Sequence, residues 1–181
     1  MIGRDNVTNI VLPDRPSSMA TLLDRLEQER KADARFDRLI DELQHFCDSV
    51  DSEELIGLET KLERGERPDL ILKATKEKEL FAKRLAQHQH WQSAQEIYAY
   101  MLGRVRDRFE SSIAPLLAQS TSHTEIDAAI ISDVIEPCLK ELQGNDLAIN
   151  TTHLRGMMYF LTGNCFLKWE RSLHAPISPG T

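Results

Sequence analysis

Residues 152–170 read THLRGMMYFLTGNCFLKWE, and this stretch decides the fold of the chain. Its apolar residues recur at steps of three or four, which places on one face of a helix Leu154, Met158, Leu161, Cys165 and Trp169. Met157, Phe160 and Phe166 widen that face, and a helix that is apolar nearly all round is a buried one. Each glycine in the stretch costs about 1 kcal/mol relative to alanine, so we expect a neighbouring helix to approach closely there. The stretch therefore predicts a buried core-anchor helix, capped by Thr151 or Thr152, around which the chain folds.

The composition of the chain is that of one globular domain. It has 181 residues, of which 41% are hydrophobic and 28% charged, and its formal net charge is -7 at pH 7. An acidic balance argues against a general binder of nucleic-acid phosphates, which needs a basic face. No apolar run approaches the roughly 20 residues that span a bilayer, and the start of the sequence lacks the pattern of a secretory signal. Cys47, Cys138 and Cys165 are far apart and odd in number, which favours buried thiols in a reducing cytoplasm over a disulfide framework.

Residues 1–16 differ in character from the rest of the chain. Val7, Ile10 and Leu12 belong to an apolar, β-branched segment bounded by glycine and prolines, which is typical of a strand or an extended arm. A lone strand needs a partner edge, and the partner could be another chain or an upstream domain. We therefore interpret residues 1–16 as an extended arm or linker, residues 17–172 as a helical domain and residues 173–181 as a disordered tail.

The first predicted helix starts near Ser17 or Ser18 and has Leu22 and Leu26 on its apolar edge. Its middle is almost entirely charged, and apolar periodicity resumes only at residue 36. A continuous helix of about 30 residues would be about 45 Å long, so it would either project as a coiled-coil-like arm or break in its charged middle. Apolar residues at both ends of this helix suit docking to a partner. Together with the arm, the helix gives a predicted association surface that comprises Val7, Ile10, Leu12, Leu22 and Leu26. We expect removal of residues 1–16 to weaken association, measured by light scattering, while the helical content stays intact.

Capping signals divide the remainder into helices. The spacing of a capping box occurs in three segments, Asp51–Glu54, Ser93–Glu96 and Ser122–Glu125. Gly65 suits the end of one helix and Pro68 the first turn of the next, whereas Pro115 and Pro137 should kink or interrupt theirs. The pattern therefore predicts an all-α bundle of about six helices with a short N-terminal extended arm.

Candidate catalytic and metal-binding groups do not converge in the sequence. His88 and His90 point to different sides of a helix, and no cysteine or carboxylate pair completes a metal site. Cys165 and His153 would lie about 18 Å apart along one helix, so they cannot form a nucleophile and base within the chain. We therefore predict no cofactor, no metal and no enzymatic activity, and expect the purified chain to show no hydrolase, transferase or nuclease activity.

Two motifs carry a resemblance to a known family. The first lies in residues 153–169 and combines Gly-Met-x-Tyr, Leu-Thr and Cys-x-x-x-Trp. The second is residues 93–100, preceded by Leu62-Glu63 and Asp69-Leu70-Ile71. Over residues 36–170 the chain resembles the C-terminal domains of effector proteins from bacterial ABC-three-component anti-phage systems, which are related to the Lamassu group. Residues 2–7 are similar to the junction with Gly and Asn that often precedes such domains.

The resemblance implies a non-catalytic assembly or regulatory function. The domain would connect a toxic effector to an SMC-like ABC ATPase and a middle component, and would hold the effector inactive until phage or foreign DNA is sensed. The implied partners are these proteins and further copies of the chain, with no direct contact to nucleic acid or membrane. No effector domain precedes the module in this sequence, so we expect either an excised fragment or a stand-alone subunit. The alternative is a stand-alone helical regulator or antitoxin-like adaptor, and an enzyme ranks third.

Overall fold

The computed structural model describes residues 18–48, 57–119, 121–142, 144 and 147–170. Within these ranges the chain is helical and contains no strand, so the all-α prediction is confirmed. The α-helices are α1 (Ser18–Lys31), α2 (Asp41–Cys47), α3 (Leu58–Arg64), α4 (Ile71–His88), α5 (Gln92–Arg108), α6 (Ala114–Ala118), α7 (His123–Ala129), α8 (Glu136–Glu141) and α9 (Thr151–Gly163). A 3₁₀ turn, Pro68–Leu70, leads into α4, and π-helical turns at Phe109–Ile113 and Ile130–Ile135 join α5 to α6 and α7 to α8.

Local sequence signals account for several helix ends. Ser122 caps α7 in a reciprocal capping box with Glu125, as predicted, and Gly65 follows the last residue of α3. Pro115 and Pro137 each fall in the first turn of α6 and α8. Proline lacks the amide hydrogen that an α-helical hydrogen bond needs. A wider π turn precedes each proline, and the helix continues as an α-helix after it. The expected kinks are therefore π turns inside longer helices.

The first helix is broken in its charged middle, so the projecting-arm alternative is wrong. α1 ends at Lys31, Asp33 takes a positive φ of 48°, and the amide of Ala34 donates to the Glu29 carbonyl over 2.9 Å. This is a common way to end a helix. The linker then runs back over the domain, where the amide of Phe36 donates to the carbonyl of His90 over 2.7 Å. α2 consequently packs on α5, as α1 does.

The start of α9 differs from the predicted one. Its N-cap is Asn150, whose Oδ1 accepts from the amides of Thr152 at 3.0 Å and His153 at 3.2 Å. His153 returns the contact through Nδ1, which accepts from the Asn150 amide at 3.3 Å. Asparagine binds two orphan amides here, which explains why neither Thr151 nor Thr152 is the cap.

The core lies where α9 packs along α4. Gly156 occupies the closest approach, since a Cβ at this position would collide with the Glu77 carbonyl and stand 2.8 Å from Phe81 Cβ. Arg155, beside it, binds the buried Glu77 carboxylate through two nitrogens, and the closest contact is 2.9 Å. The close approach predicted from the glycines therefore exists at Gly156.

The chain leaves the helical path before it reaches Trp169. α9 ends at Gly163 and Cys165 takes a positive φ of 68°, so the prediction of one helix through residue 170 is wrong. The chain folds back instead, and the fully buried indole of Trp169 donates from Nε1 to Thr162 Oγ1 over 3.0 Å. Its ring centre lies 5.3 Å from that of Phe109. A turn, rather than a continued helical face, brings Trp169 into the core.

The remaining core-anchor residues divide by depth. Leu154, Met158 and Leu161 are fully buried on α9, whereas Cys165 is half-buried beyond its end. Phe160, which we expected to be largely buried, is half-buried, with its ring edge-on to Phe81 at 5.2 Å. The expectation of buried thiols is met by Cys138 alone, because Cys47 and Cys165 are both partly exposed.

Candidate interaction groove

Two charged side chains of α1, Arg25 and Glu29, bind the start of α5. The Glu29 carboxylate of α1 accepts from the backbone amide of Ser93 at 3.0 Å and from its hydroxyl at 2.7 Å. Arg25 of α1 binds the Glu96 carboxylate through both terminal nitrogens at 3.0 Å. The N-cap of α5 is Trp91 without a side-chain bond, so the predicted capping box at Ser93–Glu96 is wrong. Both of its residues take partners from α1 because α1 crosses this helix end.

The linker before α2 is held by a buried glutamine. Gln95 is 1% exposed, and its Oε1 accepts from the amide of Ile40 at 2.8 Å. Its Nε2 donates to the carbonyls of Arg38 at 2.7 Å and Gln89 at 2.6 Å. Three bonds from one buried amide fix the entry to α2 on α5 and on the α4–α5 turn.

An apolar groove opens between these elements. It has a volume of about 530 Å³ and is lined by Leu22 of α1, Ile40, Glu42 and Phe46 at α2, and Gln92, Glu96, Ala99 and Tyr100 of α5. We call these eight residues the seam groove. Glu42 and Glu96 are its two charged residues, and Glu96 is already paired with Arg25. The groove therefore suits apolar side chains of a protein segment rather than a charged small molecule.

Two walls of the seam groove are held from outside it. The Tyr100 hydroxyl donates to Glu141 of α8 over 3.0 Å, and burial, with that carboxylate beside it, raises the pKa of the phenol. On the opposite side the Phe46 carbonyl accepts from the Asn164 side chain at 2.9 Å. Contacts from α8 and from the end of α9 thus hold the groove open.

The predicted association residues have three different positions. Leu22 is half-buried and lines the seam groove. Leu26 is 1% exposed and belongs to the domain's own core, so it has no surface left for a partner. Val7, Ile10 and Leu12 lie outside the described residues. Of the two predicted association residues on α1, Leu22 keeps exposed surface and Leu26 does not.

Two of the histidines considered in the sequence, His88 and His153, form packing and capping contacts in the fold. His88 Nδ1 pairs with the Tyr98 hydroxyl at 2.8 Å, and burial, with Arg84 and Arg30 nearby, lowers the pKa of His88 to about 4. Within the described ranges, no group of three or more His, Cys, Asp or Glu side chains could hold a metal ion. Nor is any helix in those ranges long and apolar enough to cross a membrane.

These features define an all-helical domain with an apolar groove. Residues 57–169 match the model of one protein family, the C-terminal domain 9 of the ABC-three component (ABC-3C) systems. The match covers more than half of the chain, so the chain belongs to this family, as its motifs predicted. No match was found among curated proteins or among solved structures.

The family match divides the molecule at the seam groove. The matched segment begins just before α3 and ends at the buried Trp169, so α1 and α2 lie outside it. We call residues 57–169 the family domain and α1 with α2 the N-terminal pair. The groove is therefore lined half by the N-terminal pair with its linker and half by α5 of the family domain.

Proposed function

We propose that this chain is a non-catalytic assembly and regulatory domain of a cytoplasmic ABC-3C anti-phage complex. In this proposal it couples a toxic effector to an SMC-like ABC ATPase and a middle component. Membership of a multi-component system supports protein partners. The observation that carries the proposal is the seam groove, an apolar surface shared by the family domain and the N-terminal pair.

The position of the groove suits a regulatory contact. A partner segment that buries apolar side chains between Leu22, Phe46 and Ala99 would touch both regions at once. Its binding free energy would then depend on where the N-terminal pair sits, since a ligand shifts an equilibrium by its differential affinity for two states. Binding of the partner would in this way be coupled to the position of the N-terminal pair.

The chemistry of the described residues supports a non-catalytic role. The groove lining contributes no cysteine, serine or histidine that could act as a nucleophile or base. Burial raises the pKa of the Cys138 thiol to about 11 and also raises that of Cys47. Thiols held in the protonated form are poor nucleophiles.

Affinity purification of the tagged full chain, co-expressed with the other components of its native operon, tests the proposal. We expect the wild type to retain ABC-3C partners, quantified by mass spectrometry, and Leu22→Glu to reduce that retention about tenfold, since a charge is placed in the apolar groove. Leu39→Glu is the matched control, because Leu39 is 39% exposed and lies outside the lining. The proposal is wrong if the wild type retains no system component, or if both variants retain partners equally while circular dichroism shows intact folds.

A further inference from the structure

The outward face of α4 is unlike the rest of the surface. Helical spacing places Leu72, Lys76, Leu80 and Lys83 on one side of α4, opposite the buried Phe81. Leu72 is 69% exposed and Leu80 is 46% exposed. We call Leu72, Lys73, Lys76, Leu80 and Lys83 the α4 ridge. Two of the four exposed large apolar residues in the described chain lie on this one ridge.

The ridge carries positive charge that no described residue pairs. Lys73, Lys76 and Lys83 are all exposed, and none of them forms an ion pair with a described residue. The single carboxylate on the same side is that of Glu79, so the ridge is locally basic in a chain with a formal net charge of -7. Its charge pattern is complementary to an acidic surface.

The helix that presents the ridge is fixed from behind. The opposite face of α4 is pressed against α9 at Gly156 and is tied to it by the Arg155–Glu77 ion pair. A surface that is ordered before binding loses little conformational entropy on binding, which favours a specific contact. Leu72 and Leu80 are eight residues apart, about 12 Å along the axis, which matches two turns of a helix laid beside α4.

We infer that the α4 ridge is a docking surface for an acidic amphipathic helix of a partner protein. The partner helix places its apolar side chains against Leu72 and Leu80 and its carboxylates against Lys76 and Lys83. This inference rests on the proposed function and adds to it a second surface, distinct from the seam groove, with a stated partner chemistry. A connector between several components needs two such surfaces.

Other classes of partner fit the ridge less well. Nucleic acid is bound by basic residues that neutralise successive phosphates, whereas the centre of this ridge holds two leucines and Glu79 lies beside it. A helix that lies in a membrane surface buries a continuous apolar face, and the ridge offers only two large apolar side chains. Two leucines two helical turns apart, flanked by lysines that no described residue pairs, suit the recognition of an amphipathic helix.

The first test uses the full chain co-expressed with its native operon components. We expect Leu72→Glu/Leu80→Glu to lose at least one partner by about tenfold or more, because two apolar contacts are replaced by charges that repel an acidic helix. Ile131→Glu is the matched control, since Ile131 is a 37% exposed apolar residue away from the ridge. In the wild-type complex a zero-length carbodiimide reagent should couple Lys76 or Lys83 to a partner carboxylate. Full retention by the double variant, with these lysines uncoupled, overturns the inference and leaves the proposed function standing.

A second test covers the case in which the wild type retains no partner, which would refute the proposed function. The probe is then a synthetic amphipathic helix with leucines on one face flanked by glutamates, measured by fluorescence anisotropy. We expect saturable binding that weakens with salt and is lost both in Leu72→Glu/Leu80→Glu and with a peptide whose glutamates are lysines. No binding to the acidic peptide overturns the inference, as does ridge-dependent binding to phosphatidylserine vesicles or to duplex DNA instead of the peptide.

Discussion

The N-terminal pair and the α4–α9 contact are held in place by different physical means. α9 packs on α4 by close apolar contact, with Gly156 at the point where the helices meet. α1 also buries Met19 and Leu26 in the core, but it is joined to α5 in addition by Glu29, Arg25 and their partners, and these charged contacts are only partly buried. Close apolar packing responds little to salt or pH, whereas partly exposed charged contacts respond to both. We therefore expect the family domain to be the stable frame, and the N-terminal pair to be the region that responds to salt and pH.

The largest effect should come from removing the core of the frame. Trp169→Ala should lower the free energy of unfolding by about 3–5 kcal/mol, since a fully buried indole is replaced by a cavity and Thr162 Oγ1 loses its donor. Urea unfolding followed by circular dichroism measures it. Cys165→Ala, at a half-buried position nearby, is the control and should cost far less. A loss below about 1 kcal/mol for Trp169→Ala would show that Trp169 is not a main part of the stabilising core.

An intermediate effect should follow acidification, and it should start at the boundary of the two regions. The pKa of His88 falls from 6.5 to about 4 in the fold because of burial, and Arg84 of α4, Arg30 of α1 and His153 of α9 add to this. The folded state therefore favours the neutral imidazole. Its contribution is complete above about pH 6.5 and is lost as the pH falls toward 4. We expect a loss of about 1–2 kcal/mol over this range, with the partial exposure of the ring taken into account.

Unfolding free energies at several pH values between 7 and 4 measure this dependence. His88→Asn should flatten the pH profile, whereas His90→Asn, at an exposed position on the α4–α5 turn, should leave it unchanged. Because the charge of Arg30 in α1 acts on the imidazole more strongly than that of His153 in α9, hydrogen exchange in α1 should increase before that in α9. Equal slopes for the wild type and His88→Asn would show that another group controls acid stability.

The smallest effect should come from the carboxylate that links the two regions. Glu29→Gln should cost about 1 kcal/mol, since the two oxygens of the carboxylate each accept one hydrogen bond from Ser93, and glutamine replaces one of these oxygens by an NH₂ group and removes the charge. Hydrogen exchange should rise in α1 and stay constant in α4 and α9. Glu27→Gln is the control, because that exposed carboxylate pairs with Lys31 within α1. A uniform increase across all helices would mean that the two regions unfold as one unit.

The sequence predicts the fold wherever the signal is local. The capping box at Ser122, the helix end at Gly65 and the close approach at Gly156 all depend on neighbouring residues or on a single missing side chain. The capping box at Ser93–Glu96 was predicted with the same logic and is wrong, because Glu29, 64 residues earlier in the chain, binds Ser93. A local pattern carries no information about such a distant partner.

The seam groove shows the same limit for a functional surface. Leu22 was predicted from its place on an apolar helix edge, and Leu26 was predicted with it although it points into the core. Phe46, Ala99 and Tyr100 complete the groove from two other helices, and their sequence context is that of ordinary core positions. Which apolar residues remain partly open depends on how three helices meet, and that is a property of the tertiary structure.

The position of Trp169 also sets an order of events during protein synthesis. Trp169 is the last residue of the family domain to leave the ribosome, yet it packs on Phe109 and against the backbone at Gly65. Until it arrives, the apolar surface around Phe109 and Tyr159 has no cover, which exposes the nascent chain to chaperones and proteases. A chain that ends before Trp169 therefore leaves this part of the core uncovered. The core of the family domain is thus complete only after its last residue has been synthesised.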